Sequence, residues 1–348
     1  MNIRMHPQVK QPFPGIECTR EVLYHRHRLS HQQIDDVMGE RQDELVLEEK
    51  IHQLKKVARF LEITSALEKE NIWFISYKGP LLSYRIYNDA TCRIYKDFDF
   101  LIRSDKIPET IVVLNRLGYC SRSYRWPSSE NRQKRLIFLA NQYTLDHPEG
   151  GISVEIHWSL LKFPAARRKK ITAIIDANLQ QTVFGNQIFY QFTPELELLH
   201  LVIHGSLHTW SRLKWLTDVN EFIQRIQFDE KKFEALTKQL HAGRLVALCN
   251  ALLRLYFPQT VMLPCHSEAP DWFIEYALHQ LNRTSDTPVY LPQDLFKYRW
   301  FHIHAFPRWN QKLKKVLVLF VFYLQNKKRK LLALKTAKSK GSSFNVLQ

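Results

Sequence analysis

Residues 96–103, KDFDFLIR, alternate polar and apolar side chains with a period of two. That period belongs to a β-strand, in which neighbouring side chains leave by opposite faces. Phe98 and Phe100 therefore mark a face for burial, and Asp97 and Asp99 lie together on the other. A second stretch, ISVEIHW, repeats the arrangement, with Val154, Ile156 and Trp158 on one face and Ser153, Glu155 and His157 on the other. The turn Pro148-Glu149-Gly150-Gly151 before it pairs this strand with NQYTL in a hairpin.

Other elements follow from shorter signals. IWFISYKG is a β-branched and aromatic run ended by Gly79 and reads as a buried strand. A helix from Pro80 to Tyr87 follows, with proline tolerated in the first turn. DKIPETIVVLNRLGY reads as a helix closed by Gly118, and QIFYQF as a further strand. From His31 to Lys69 the chain is rich in Leu, Glu, Lys and Gln, which indicates one or two amphipathic helices. Thr193 as N-cap and Pro194 at the first helical position open a mainly helical stretch from 193 to 325. The expected fold class is α+β. A small mixed-sheet core, residues 67–192, lies between an N-terminal helical segment, 1–66, and a mainly helical C-terminal domain, 193–326, with a basic tail at 327–348.

At 348 residues the chain exceeds the usual size of one core. Its 45% hydrophobic and 24% charged residues argue against global disorder. A net charge of +16 makes an acidic partner plausible: nucleotide, nucleic acid, anionic lipid or acidic protein. Part of the excess sits in NKKRKLLALKTAKSK, which contains no acid and reads as a solvated basic tail. The five cysteines, 18, 92, 120, 249 and 265, are scattered and form no C-x-x-C pair, so neither a disulfide framework nor a thiolate zinc site is expected. The first 15 residues lack the apolar core of a signal peptide, and a cytoplasmic location is expected. VLVLFVFYLQN, 316–326, is about half the ~20 residues that a bilayer-spanning helix needs. No transmembrane segment is expected, and the basic flanks of that run leave an anionic membrane surface as a peripheral partner.

A carboxylate pair on a strand, a Lys-Gly turn upstream and a third acid on a later strand together suggest a divalent-metal site for phosphoryl chemistry. Two hard cations about 3.5–4 Å apart need several oxygen ligands, and bridging carboxylates on one strand face supply them. An Asp-x-Asp pair by itself describes an exposed polar strand face equally well.

The context goes further. ALEKENIWFISYKGPLLSYRIYNDATCRIYKDFDFLI, followed by LNRLGY and VEIHW, resembles the uncharacterised nucleotidyltransferase family within the DNA polymerase β superfamily. Its members show a Lys-Gly turn, an Arg ahead of a D-h-D strand, and a later acid-h-His-Trp strand. LLHLVIHGSLHTWSRLKWLTDVNEFI is similar to that family's helical segment of spaced histidines with a Trp-Leu-x-Asp ending, so the resemblance spans roughly 65–225.

The resemblance implies a nucleotidyltransferase core that moves a nucleoside monophosphate from an NTP to an acceptor hydroxyl or similar nucleophile, releasing pyrophosphate. It implies that Asp97 and Asp99 bind two Mg²⁺ (or Mn²⁺) ions, with Glu155 as the third acid, orienting or deprotonating the acceptor. Lys78 and Gly79 would approach the nucleotide phosphates, Arg93 would fork onto a β- or γ-phosphate, and Arg85 would assist. His157 would orient Glu155 or touch substrate, and His208 and Arg212, with Trp215 and Asp218, would line the cleft. The acceptor stays open among small molecule, peptide, protein and RNA.

Pro80 departs from the family pattern, which usually places a small hydroxyl residue or glycine there; proline offers neither a hydroxyl nor a backbone N–H to phosphate. It favours an alternative class, a scaffold of weak or no turnover that binds nucleic acid or a protein through its basic surface. His200, His204 and His208 recur every four residues and form one helical stripe. That spacing suits zinc, but no acid of the H-E-x-x-H kind lies between them, and burial in the helical core or exposure to the cleft are the other readings.

Overall fold

The computed structural model describes residues 13–121, 124–149, 151–160, 165–284 and 292–305. The run at 316–326 and the basic tail at 327–348 lie outside them. The chain divides into two compact units, Met1–Pro288 and Val289–Gln348.

In the first unit, α1 (His31–Met38) and α2 (Asp43–Lys69) lead into β1 (Phe74–Ser76), α3 (Gly79–Tyr87), β2 (Asp97–Ile102) and α4 (Ile107–Arg116). Next come α5 (Glu130–Leu139), β3 (Gln142–Leu145), β4 (Ser153–His157), α6 (Ala165–Asp176), β5 (Leu179–Phe184) and β6 (Gln187–Phe192). The helical remainder comprises α7 (Pro194–Leu207), α8 (Leu213–Arg225), α9 (Glu230–Leu240), α10 (Gly243–Tyr256) and α11 (Asp271–Leu281). The second unit contributes α12 (Pro292–His304). The fold class is thus mixed α+β, as expected. No helix among the described residues is long and apolar enough to cross a membrane.

Local chemistry sets the helix limits. Ser30 and Gln33 form a capping box at the start of α1, and Gly39 closes it in the left-handed region at φ 69°. Pro194 starts α7 behind Thr193, although the threonine side chain makes no cap hydrogen bond.

Among the described residues the strands form one six-stranded sheet in the order β3-β4-β2-β1-β6-β5. β1 runs antiparallel to β2 and parallel to β6, while β2 and β4 are parallel. The parallel register sets Asp97 opposite Ser153 and Asp99 opposite Glu155. β3 and β4 form the antiparallel hairpin expected around 148–151. β5 and β6 form a second hairpin, turned at Gly185 and Asn186 with φ 57° and 65°. Two consecutive positive φ values match the twist of the flanking strands.

The apolar strand face builds the core. Phe98, Phe100, Val154 and Ile156 are buried with Phe60, Ile63 and Leu67 of α2 and Ile107 and Leu114 of α4. Phe60 stacks on Phe100 at 5.8 Å and meets Phe98 edge-on at 5.4 Å. Truncating such a ring to alanine costs about 3–5 kcal/mol. This packing turns the opposite face of β2 and β4, with its acids, away from the core.

Candidate active site

β1 ends at Ser76, and Tyr77, Lys78 and Gly79 carry the chain into α3. Gly79 sits at φ +64°, while a Cβ there would meet only the Phe98 ring at 3.7 Å. Conformation rather than space therefore demands glycine. The turn brings Lys78 Nζ to 3.1 Å from Asp99 Oδ1.

Asp99 is almost wholly buried, and His157 Nε2 lies 2.9 Å from the same Oδ1. The ring nitrogen is also 3.2 Å from Glu155 Oε2, which accepts a hydrogen bond from Gln142 Nε2 at 3.0 Å. Ligand atoms of Asp99, Glu155 and His157 all fall within 4.8 Å of one another. Asp99 Oδ2 is buried without a hydrogen-bond partner. Two carboxylates, an imidazole and an orphaned carboxylate oxygen form a donor set that fits a divalent cation.

The two aspartates differ electrostatically. Burial alone would raise the Asp99 carboxyl, but Lys78 and His157 outweigh it and hold that carboxyl well below the usual range. Asp97 is pushed up, by burial first and then by the charge of Asp99, with Lys78 only partly relieving it. Burial opposes a charge on His157, yet its contacts with Asp99 and Glu155 prevail and raise its pKa. Tyr77, buried beside these acids with its ring 5.8 Å from that of His157, is held protonated by burial and by the charges of Asp99, Glu155 and Asp97.

The expected phosphate arginines are placed differently. Arg93 is buried and forks onto Asp218 of α8 through Nε at 2.6 Å and Nη2 at 2.5 Å. Arg85 is partly buried, donating to Glu197 of α7 and, at 2.7 Å, to the Phe192 carbonyl. Both guanidiniums tie α3 and the segment ahead of β2 to the helices.

Lys214, which sequence reasoning passed over, donates through Nζ to the Ile94 carbonyl. Its pKa falls to about 7, because burial and the nearby Arg93 outweigh the attraction of Asp218 and Asp97. No spacing relates it to the aspartates; its place in the first turn of α8 does. Gln142 and Tyr77 were missed as well; the register of β3 on β4, which puts Gln142 opposite His157, is what brings Gln142 to the site.

The histidine stripe splits in character. His200 is buried against Tyr77 at 5.1 Å with neither ring nitrogen hydrogen-bonded, and burial lowers its pKa to about 3. His208 is exposed and stacks on Trp215 at 4.9 Å, with the Arg212 guanidinium 5.9 Å from that indole.

A mixed sheet with clustered acids and an adjoining lysine turn on one face defines an α+β protein in which Asp99, Glu155 and His157 could hold a metal ion. The chain belongs to the family described as uncharacterised nucleotidyltransferase, which it matches over residues 21–258. Nucleotidyl transfer is accordingly the activity that its family membership indicates. No curated protein matches the chain. Among solved structures it is similar to an antigenic nucleotidyltransferase-like protein from Paracoccidioides brasiliensis, at 15% identity and a TM-score of 0.34, covering 66% of this chain and 93% of that one. A likeness of that size carries no weight for activity or substrate.

Proposed function

We propose that this protein transfers a nucleoside monophosphate from an NTP to an acceptor nucleophile and releases pyrophosphate, the α/β core of residues 67–192 carrying the chemistry. The observation that carries this reading is the register of β2 and β4, which sets Asp99 beside Glu155 on the face opposite the core. Asp97, Asp99 and Glu155, with His157 beside them, are the residues that would hold Mg²⁺ or Mn²⁺. Bound there, a divalent metal supplies charge neutralisation on the triphosphate and lowers the pKa of the attacking group.

The rest belongs to the chain. In phosphoryl transfer the protein mainly positions reactants and neutralises charge. Lys78 stands at the acids with its ammonium presented by the Gly79 turn and offers that charge to the phosphates. Lys214 of α8, whose protonated form the Asp218 and Asp97 carboxylates favour, is assigned as a second group of this kind. Glu155 holds the acceptor, its carboxylate fixed by Gln142 and His157. Arg85 and Arg93 act by fixing the helices around the cleft. His208, Trp215 and Arg212 form a shelf to which the acceptor or the base is assigned.

The test is pyrophosphate release from each NTP with Mg²⁺ or Mn²⁺, in the presence of a small-molecule extract and of an RNA pool. Release that depends on the metal and disappears in Asp97→Asn, with an unchanged circular dichroism spectrum, is the expected result. A near wild-type rate in that variant removes the metal assignment. One pair of observations favours the binding-scaffold alternative: Pro80 removes a phosphate donor, and both expected phosphate arginines are engaged by internal acids. Silence with every NTP, together with saturable RNA or protein binding, would establish that alternative.

A further inference from the structure

Helix α2 is buried along one side, where Phe60, Ile63 and Leu67 enter the core and Gln53 is covered as well. The opposite side carries a second apolar pattern. Leu47, Ile51, Leu54 and Ala58 follow one another at steps of four, three and four residues and are all exposed, the first three at 61%, 48% and 56%. Leu61 continues the series and tucks in beneath the Gly185 turn. Single exposed leucines are ordinary, but alternating steps of three and four give a period of 3.5, the a/d seam by which two helices interlock. At 3.6 residues per turn the four side chains form one narrow stripe, on the side of α2 away from Phe60 and Leu67. A coiled coil that stands alone needs roughly three heptads or more. α2 does not, because its inward side already holds it helical and the outer seam only packs preformed helices together.

The flanking charges identify the occupant. Leu47 and Leu54 take the d positions and Ile51 and Ala58 the a positions, which puts Glu48 and Lys55 at e and Asp43 and Lys50 at g. Glu48 and Lys55 are exposed and make no ion pair among the described residues. In a parallel pair of identical helices g meets the following e of the other copy. That sets Asp43 against Glu48, and Lys50, itself paired with Asp89 at 3.0 Å, against Lys55. In an antiparallel pair e meets e. With Ile51 packed on Leu54 of the second copy and Leu47 on its Ala58, Glu48 falls opposite the second copy's Lys55, and the two-fold axis repeats the contact. The stripe is therefore complementary to itself in one orientation.

We propose that α2 is a dimer interface, two copies of this chain pairing their Leu47-Ile51-Leu54-Ala58 stripes antiparallel as a short two-stranded coiled coil. Phe60 of α2 packs on Phe98 and Phe100, so the helix lies on the sheet face opposite the acids, and pairing along its outer side leaves both acid clusters open. The pairing is independent of nucleotidyl transfer.

The full-length protein is followed by sedimentation velocity across the micromolar range, where small interfaces exchange. A reversible monomer–dimer equilibrium is the expected result. Leu54→Glu puts a charge into both central layers and should leave only monomer, with an unchanged circular dichroism spectrum because the side chain is exposed. Lys55→Glu sets Glu against Glu at both e contacts and should weaken the dimer roughly tenfold. Adding Glu48→Lys to it exchanges the two charges and should bring the affinity back to within roughly threefold of wild type. A wild-type chain that stays monomeric throughout overturns the proposal and assigns the seam to a helix of another protein. A dimer undiminished in Leu54→Glu overturns it as well. So does one that Lys55→Glu tightens, since the new carboxylate would then be meeting Lys50 in a parallel pair.

Discussion

Asp97 and Asp99 share a strand face but not an environment. Lys78 and His157 both contact Asp99, whereas Asp97 bears the repulsion of its neighbour together with burial. A carboxyl whose pKa is raised on folding makes the folded state bind more protons than the unfolded one, so it weakens the fold as pH rises. Asp97→Asn is therefore expected to shift the urea midpoint upward at pH 7 while abolishing transfer. The gain should vanish below about pH 4, where the unfolded carboxyl is protonated as well; a variant less stable than wild type at pH 7 contradicts this. His157 makes a separate prediction. Its nitrogen suits Co²⁺ better than Mg²⁺. His157→Gln should weaken metal binding by ~10–100-fold, with Co²⁺, followed by its visible absorption, losing more than Mg²⁺. Equal losses would leave His157 as a hydrogen-bonding neighbour only. The facing of the acids was legible because period two on β2 and β4 leaves no other choice. Tyr77, Gln142 and Lys214 were not, because nothing local announces which distant side chains a sheet register or a helix start brings together.

The elements most easily read were those whose apolar pattern and end signals agree. β2, β4 and α4 are of this kind, and Gly118, at φ 87°, ends the α4 segment where expected. β5 was missed although the Gly185-Asn186 turn that follows it carries a hairpin signal, since its outward side chains, such as Val183 at 65% exposure, blur the alternation. α5 has no buried residue at all, so no inward stripe could mark it. α7 shows the opposite extreme, with eleven buried residues around its circumference, as a helix surrounded by others requires. Close packing there fixes Gly205, where a Cβ would come within 2.4 Å of the Trp210 ring. Trp210 cannot swing away easily: it is fully buried and follows a turn in which Thr209 and Trp210 adopt φ 54° and 51°. Gly205→Ala should cost about 1–3 kcal/mol by overpacking, measured by urea denaturation. A loss within experimental error would mean that α7 and the turn are free to separate.

At the scale of the molecule, two ion pairs join the sheet half to the helices: Arg93 with Asp218, both buried, and the partly buried Arg85 with Glu197. The sequence motifs flagged Arg93 and Asp218 separately, one ahead of the Asp-x-Asp strand and one closing the Trp-Leu-x-Asp segment. Nothing in one dimension shows that they meet 125 residues apart in sequence. Their joint burial favours a brace over a phosphate ligand. Arg93→Met leaves Asp218 charged and buried and should destabilise by about 3–5 kcal/mol. Replacing both, Arg93→Met with Asp218→Leu, removes the uncompensated charge, and most of that loss should return. If the pair is a brace, NTP affinity measured by equilibrium dialysis returns with stability in the double variant. A double variant that folds as wild type yet holds no NTP would put the Arg93 guanidinium on the triphosphate instead. The single variant cannot make this distinction, because it unsettles α8 and, with it, the contact of Lys214 with the Ile94 carbonyl.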